Sequence, residues 1–206
     1  MSDIDFKKQF NELYSARQNK VQIVQVPALN YLAIDGQGDP QSGDSFQASM
    51  EALYGVAYAV RSNLKKAPDP VEYIVPPLEG LWWMTDGSRF SVEDRDTWSW
   101  TLMIPQPDMV TSDMFEEARV QVQKKKKKLT TVQEIRFDLH EEGLSAQILH
   151  AGPYDQEGPT LSALHRYIAL NGYHPDGKHH EVYLNDPRRS APDKLRTILR
   201  QPVKKV

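Results

Sequence analysis

Glutamate 181 is the residue of this chain best placed by its neighbours to do chemistry. It sits in His179-His180-Glu181-Val182-Tyr183-Leu184-Asn185-Asp186-Pro187, an apolar-rich run closed by an Asn-Asp-Pro turn. Alternate residues of a strand face opposite sides, so His179, Glu181, Tyr183 and Asn185 share one face, while Val182 and Leu184 turn toward a core. An acid beside a tyrosine on a sheet face fits the floor of a ligand pocket. The same pattern also fits an edge strand with a solvated glutamate. The two histidines do not make a metal site by themselves, because neighbours on a strand point apart, and we expect neither metal nor cofactor.

The 206 residues are enough for a sizeable core, and 39% of them are hydrophobic. A formal charge of −3 argues against electrostatic attraction to nucleic acid. The absence of cysteine excludes disulfides, thiolate metal sites and thiol nucleophiles. The charged segment Met1 to Lys20 lacks the apolar stretch of a secretory signal, and no run is long enough to span a bilayer, so a cytoplasmic protein with no membrane partner is expected.

The elements that must position Glu181 follow from periodicity. Phe6, Phe10, Leu13 and Tyr14 predict an amphipathic helix over about 3–16. Strands are expected at 21–26 and 31–35, before the breaker cluster Gly36-Gln37-Gly38-Asp39-Pro40. That cluster lacks the third glycine or the Lys-Ser/Thr of a phosphate loop. Phe46, Met50, Leu53, Tyr54, Ala57 and Val60 mark a helix over about 45–63, capped by Asp44 or Ser45. Strands are expected at 71–75 and 78–84. After the charged stretch from Glu93 to Asp96, a strand at 97–105 places Trp98, Trp100 and Leu102 on one face. A helix with Asp113 and Glu116 at capping-box spacing ends in five lysines, Lys124 to Lys128, which read as a solvated terminus opposing the macrodipole. Strands at 132–140 and 144–150, a breaker loop, a helix around Leu161, Leu164 and Ile168 ending near Gly172, and strands at 179–185 and 194–203 complete the chain. The last piece also has helical spacing in Leu195, Ile198 and Leu199.

The order strand pair, breaker loop, helix, strand, Pro-containing turn, strand occurs twice. It divides a single domain into pseudo-repeats of about 18–128 and 129–206. Such duplication implies an α+β fold: an antiparallel sheet with the helices on one face and a concave ligand groove on the other.

The segments Ile34-Asp35-Gly36-Gln37-Gly38-Asp39-Pro40, Leu78-Glu79-Gly80-Leu81-Trp82-Trp83 and Trp98–Pro105 resemble those of the GyrI-like small-molecule-binding family. So do Gly152-Pro153-Tyr154-Asp155-Gln156-Glu157-Gly158-Pro159-Thr160, Leu164–Tyr167 and Glu181–Pro187. The resemblance runs from about Phe6 to Val203 and implies two β-α-β-β halves around a central pocket. Within the family the chain is most similar to the stand-alone cyclopropanoid cyclopropyl hydrolases, which open the spirocyclopropane of DNA-alkylating genotoxins with water. It implies Glu181 and Glu157 as catalytic acids, and Trp82, Trp83 and Trp100 as planar walls for an aromatic small molecule. Tyr154 and Tyr183 are candidate hydrogen-bond donors to the ligand. From the residues alone, Glu157 is equally a helix N-terminal acid, and the tryptophans are equally packing groups. A non-catalytic cage for amphipathic aromatic or cationic molecules is the alternative reading. Interaction with gyrase is suggested by the family name only.

Overall fold

The computed structural model describes residues 4–40, 44–87, 90 and 95–206. The expected helix start at Asp3, and Glu93 and Asp94 of the charged stretch, fall outside them. The expected amphipathic N-terminal helix is two short pieces, α1 (Phe6–Gln9) and α2 (Asn11–Tyr14), separated at Phe10, whose backbone leaves the helical region. The chain then runs β1 (Gln22–Val26), β2 (Leu29–Gln37), α3 (Asp44–Lys66), β3 (Glu79–Met84) and β4 (Trp98–Gln106). It continues through α4 (Ser112–Lys125), β5 (Arg136–His140), β6 (Gly143–Ala151), α5 (Gly158–Leu170), β7 (Tyr173–Pro175), β8 (His179–Tyr183) and β9 (Arg196–Lys205).

Several local expectations change. Residues 71–75 form no strand: prolines flank them, and Tyr73 instead buries its ring and makes a single parallel bridge to Ile4. A 3₁₀ turn over Thr130–Glu134 delays β5. Thr111 caps α4, its hydroxyl accepting from the Met114 N–H at 3.3 Å, so the Asp113–Glu116 spacing is not the cap. Because α3 begins at Asp44, Ser45 lies inside its first turn. The chain's last segment is strand β9, buried on both faces from Thr197 to Val203.

The antiparallel sheet has the order β1-β6-β9-β8-β3-β4-β2-β5, with β7 against β9. Read outward from the β8–β3 seam, β3, β4, β2 on one side mirror β8, β9, β6 on the other. We infer from this symmetry that the two pseudo-repeats are copies of one unit. The leading strand of each is exchanged: β1 pairs with β6 of the second half, and β5 pairs with β2 of the first. β5 and β6 follow one another in sequence, yet they do not pair with each other as the expected strand pair of the second half.

α3 packs on β2 and β4, and α5 on β6 and β9, both on the same face. Leu53, Val56, Ile34, Leu102 and Trp100 fill the core under α3, and Leu164, Ile168, Ile148 and Leu199 the smaller core under α5. The opposite face was expected to hold the groove. It is instead closed by the N-terminal segment, with Phe6, Leu13 and Tyr14 packed on Tyr31, Leu81, Val182 and Ile198. Two helices over the flanks of a wide sheet leave the central strands β3 and β8 uncovered between them, so the opening forms on the helix-bearing face.

Candidate functional site

The opening between α3 and α5 is a cleft of about 820 Å³. Its floor is set by register. Gly80 of β3 stands opposite Glu181 of β8, which stands opposite Leu199 of β9, and Trp82 stands opposite His179. All of these side chains therefore point into the helix-bearing face. A Cβ on Gly80 would meet Trp82 Nε1 at 2.8 Å and the Tyr183 hydroxyl at 3.2 Å. Glycine here lets the indole and the phenol meet above the strand: Trp82 Nε1–H donates to the Tyr183 hydroxyl at 3.1 Å, and that hydroxyl donates to Glu181 Oε2 at 2.7 Å. His179 Nε2 lies 3.3 Å from the other oxygen, Oε1.

Glu157 reaches the same cleft from the start of α5. It is the residue that precedes α5, and its side chain makes no capping hydrogen bond. Its carboxyl is buried, and Oε1 has no hydrogen-bond partner among the described residues. Burial first, and the Glu181 carboxylate second, push Glu157 up to about 10, against the opposing pull of Thr197 and Arg95. Glu157 is therefore a neutral acid near neutral pH. A carboxyl held protonated beside a second acid is an arrangement that acid–base chemistry uses.

The walls are aromatic. Phe46 of α3 stacks on Trp82 at 6.0 Å, Trp98 meets Trp82 edge to face at 5.2 Å, and Tyr154 meets Tyr183 edge to face at 5.8 Å. Arg95 lies 5.5 Å over the Trp98 ring at the cleft. Such a lining suits a flat apolar ligand with a polar end.

Of the seven residues singled out from sequence, Glu181, Glu157, Trp82, Tyr154 and Tyr183 come together here. Trp83 does not, because alternation sends it to the opposite face, where Lys178 Nζ sits 3.3 Å above its ring. Trp100 does not line the cleft either. It is 1% exposed, its ring covers Gly36, and Phe46 rests on it edge to face at 5.2 Å. This close approach over Gly36 accounts for a glycine that superficially looked like part of a phosphate loop. Phe46, Trp98, Arg95 and His179 were missed as site residues. Spacing marks Phe46 and Trp98 as packing positions, and alternation places His179 on the face of Glu181 without giving it a role there. No group of three or more His, Asp or Glu able to hold a metal occurs among the described residues.

On the other face of the same strands lies a second buried polar group. His180 Nδ1 is 2.6 Å from Glu142 Oε2, and its Nε2 is 3.1 Å from Glu79 Oε2. Tyr14 donates to Glu79 at 2.9 Å, and Arg200 Nη1 stands 3.7 Å from Glu142. Arg200 also donates to Gln147 and to the Leu13 carbonyl, which ties the N-terminal segment to the sheet. Burial opposes the charge on His180, but Glu142 and Glu79 outweigh it and raise the imidazole to about 9. Burial likewise opposes the Glu142 charge, and His180 and Arg200 outweigh it, lowering that carboxyl to about 2.

The sequence model of the GyrI-like small molecule binding domain matches residues 19–204, and the chain belongs to that family. Among solved structures, an uncharacterized conserved protein from Listeria innocua is 37% identical, with a TM-score of 0.89 over 98% of this chain and 100% of that one. A hydrolase from Listeria innocua is 36% identical, with a TM-score of 0.87 over the same shares. The complex of EcmrR with DNA shares the fold alone, at 12% identity and a TM-score of 0.55, and this chain covers 58% of that protein. The fold thus occurs within a DNA-binding protein and does not by itself exclude a nucleic-acid partner. A search of curated proteins finds no match. Among the described residues no helix is long and apolar enough to cross a membrane.

Proposed function

We propose that the cleft binds a flat, hydrophobic aromatic molecule and hydrolyses a strained electrophilic ring on it, with a spirocyclopropane conjugated to a dienone as the matching substrate class. The observation that carries this reading is the pair Glu157–Glu181: two carboxyls at one cleft floor, with Glu157 held neutral up to about 10. Glu181, supplied with a proton donor by Tyr183, acts as general base on a water molecule. The water oxygen bonds to the strained methylene, the cyclopropane C–C bond breaks, and its electron pair passes into the conjugated ring. The resulting phenolate oxygen takes the proton of Glu157, Glu181 keeps the proton of water, and solvent exchange resets both. The aromatic walls hold the planar substrate, each stacked contact adding ~0.5–1.5 kcal/mol beyond area burial. That two Listeria relatives at 36% identity are described as hydrolases supports the reaction class. Detoxification of a DNA-alkylating genotoxin is the role this reaction would serve.

The test is turnover of a spirocyclopropane alkylator to its ring-opened alcohol by purified protein, with loss of that turnover in Glu181→Gln. A second reading is favoured by the carboxylate of Glu181 standing among Trp82, Trp98 and Tyr154. Such a cage also suits an aromatic cation held without chemistry. Saturable binding of a dye-like cation, weakened by Glu181→Gln and with no product formed from the alkylator, would select that reading and defeat the hydrolase.

A further inference from the structure

Glu181 has two flanking residues on its own strand face, and only Tyr183 has a role so far. The other, His179, has a side chain 1% exposed. Its ring lies flat on Phe90, with centroids 4.8 Å apart and planes 12° from parallel. Nε2 faces Glu181 Oε1 at 3.3 Å, while Nδ1 is buried with no hydrogen-bond partner among the described residues. Those facts choose between two states of the ring. An imidazolium would bury a charged N–H on Nδ1 with nothing among the described residues to accept it. A neutral ring with its proton on Nε2 buries only a lone pair, at a smaller cost. The neutral ring carries its N–H at Nε2, 3.3 Å from Oε1, a contact that is not itself a hydrogen bond and that tightens into one when a ligand closes the site.

The two carboxyls therefore stand in unlike surroundings. Glu181 has a hydroxyl donor on one oxygen and an imidazole edge on the other. Glu157 has an oxygen with no partner among the described residues. Among the described residues, Arg95 from the turn before β4 and Tyr154 from the turn before α5 also line this cleft, with Tyr54 and Tyr58 of α3 and Asp186 and Arg188 after β8 further along it. None of these groups is on β8, and none makes a hydrogen bond or ion pair to Glu181 among the described residues.

We infer that His179 is a positioning residue: its neutral ring, donating from Nε2, works with Tyr183 to make Glu181 the ionised member of the pair and leaves the proton on Glu157. The consequence for rate rests on the ring-opening reading above, whereas the division of the proton does not.

Two substitutions separate the nitrogen from the ring. His179→Phe keeps a flat ring against Phe90 and removes the donor, and His179→Gln places an amide N–H near the position of Nε2. The first readout is independent of turnover: infrared spectra of the full chain with carbon-13 glutamate, taken near neutral pH. The wild type should show a protonated-carboxyl band that Glu157→Gln abolishes. His179→Phe should shift or split that band, and His179→Gln should restore it. The second readout is turnover of a spirocyclopropane dienone. Loss of a hydrogen bond to a charged group predicts a fall in kcat of about tenfold to a hundredfold for His179→Phe, with KM changed by less than about threefold. The acid limb of its pH profile should move to higher pH, and His179→Gln should reverse both changes. A band and an acid limb unmoved in His179→Phe would overturn the inference. So would a His179→Gln protein that behaves like His179→Phe. If the wild type shows no turnover, the ring-opening reading falls, and the infrared spectra alone decide on His179.

Discussion

Strands β3 and β8 carry a buried glutamate on each face, and the two faces treat their carboxyls in opposite ways. Beneath the N-terminal segment, Glu79 and Glu142 meet His180, Arg200, Tyr14 and Ser145, so that carboxylates and cations are matched around every donor. In the cleft, Glu157 and Glu181 are two acids lining one cavity, and Glu157 retains an oxygen without a partner among the described residues. A single residue step along β8, from His180 to Glu181, separates the matched group from the mismatched one. A network whose polar atoms are all satisfied holds elements in place. One left unsatisfied costs stability and persists where a ligand or a reaction completes it.

Substitutions on the two faces should therefore fail differently. The largest expected effect is in the cleft. Glu181→Gln should lower kcat for ring opening by about a hundredfold to ten-thousandfold, the usual contribution of a general base, while the urea midpoint stays near that of the wild type. Comparable rates in the two proteins would end the distinction between the faces. Next comes Glu142→Ala, which strands His180 and Arg200. It should cost about 3–5 kcal/mol in urea unfolding, the range for breaking a buried charge network. A loss below about 1 kcal/mol would show the cluster to be well hydrated and not structural.

The dependence of stability on pH sharpens the contrast further. Glu142 is depressed to about 2, so its contribution is present above the unfolded carboxylate value and is lost as pH falls toward 2. His180 is raised to about 9, so its contribution is complete below the unfolded imidazole value and is lost as pH rises through 9. Glu157 is raised to about 10, so its burial favours folding only in acid and weighs against it increasingly as pH climbs toward 10. Glu157→Gln should thus gain stability over the wild type as pH is raised from mildly acidic to alkaline, whereas Glu142→Gln should lose most of the wild-type advantage above the unfolded carboxylate range. Parallel urea titrations at several pH values check both signs. The smallest effect separates two adjacent tryptophans. Trp82→Ala should weaken binding of a flat aromatic ligand by about twofold to tenfold, as expected for one lost stacking contact. Trp83→Ala, on the opposite face, should leave affinity unchanged in the same fluorescence titration.

That last pair also shows where reading the sequence stops. Strict alternation on β3 already places Trp82 and Trp83 on different faces, so one of them had to leave the pocket, and naming both as walls followed the resemblance over the geometry. The α+β class, the long helix α3, the strand β4 and the strand character of β9 were legible, because apolar spacing and the proline at matching places express them locally. Glu181 and Tyr183 were legible as face-sharing neighbours for the same reason. Which face would open was not, since alternation assigns residues to two faces without saying what covers either. The partners of β1 and β5 were hidden as well: a strand's pattern declares that it pairs, not with which strand. His179 and Arg95 became visible as site residues only once Trp82 and Trp98 had been placed beside them.

The exchange of leading strands between the halves has a consequence for how the protein is made. Residues 22–26 have no ladder until residues 143–147 exist, and β2 lacks its outer neighbour until 136–140 have been synthesised. Emerging from a ribosome, the first half holds β3 with one side bare until β8 arrives late in the chain. Pairings of such long sequence separation fold slowly. The seam that carries Glu181 is thus among the last to close, and residues 18–128 produced alone should exchange their backbone amides rapidly along β1 and the open edge of β3.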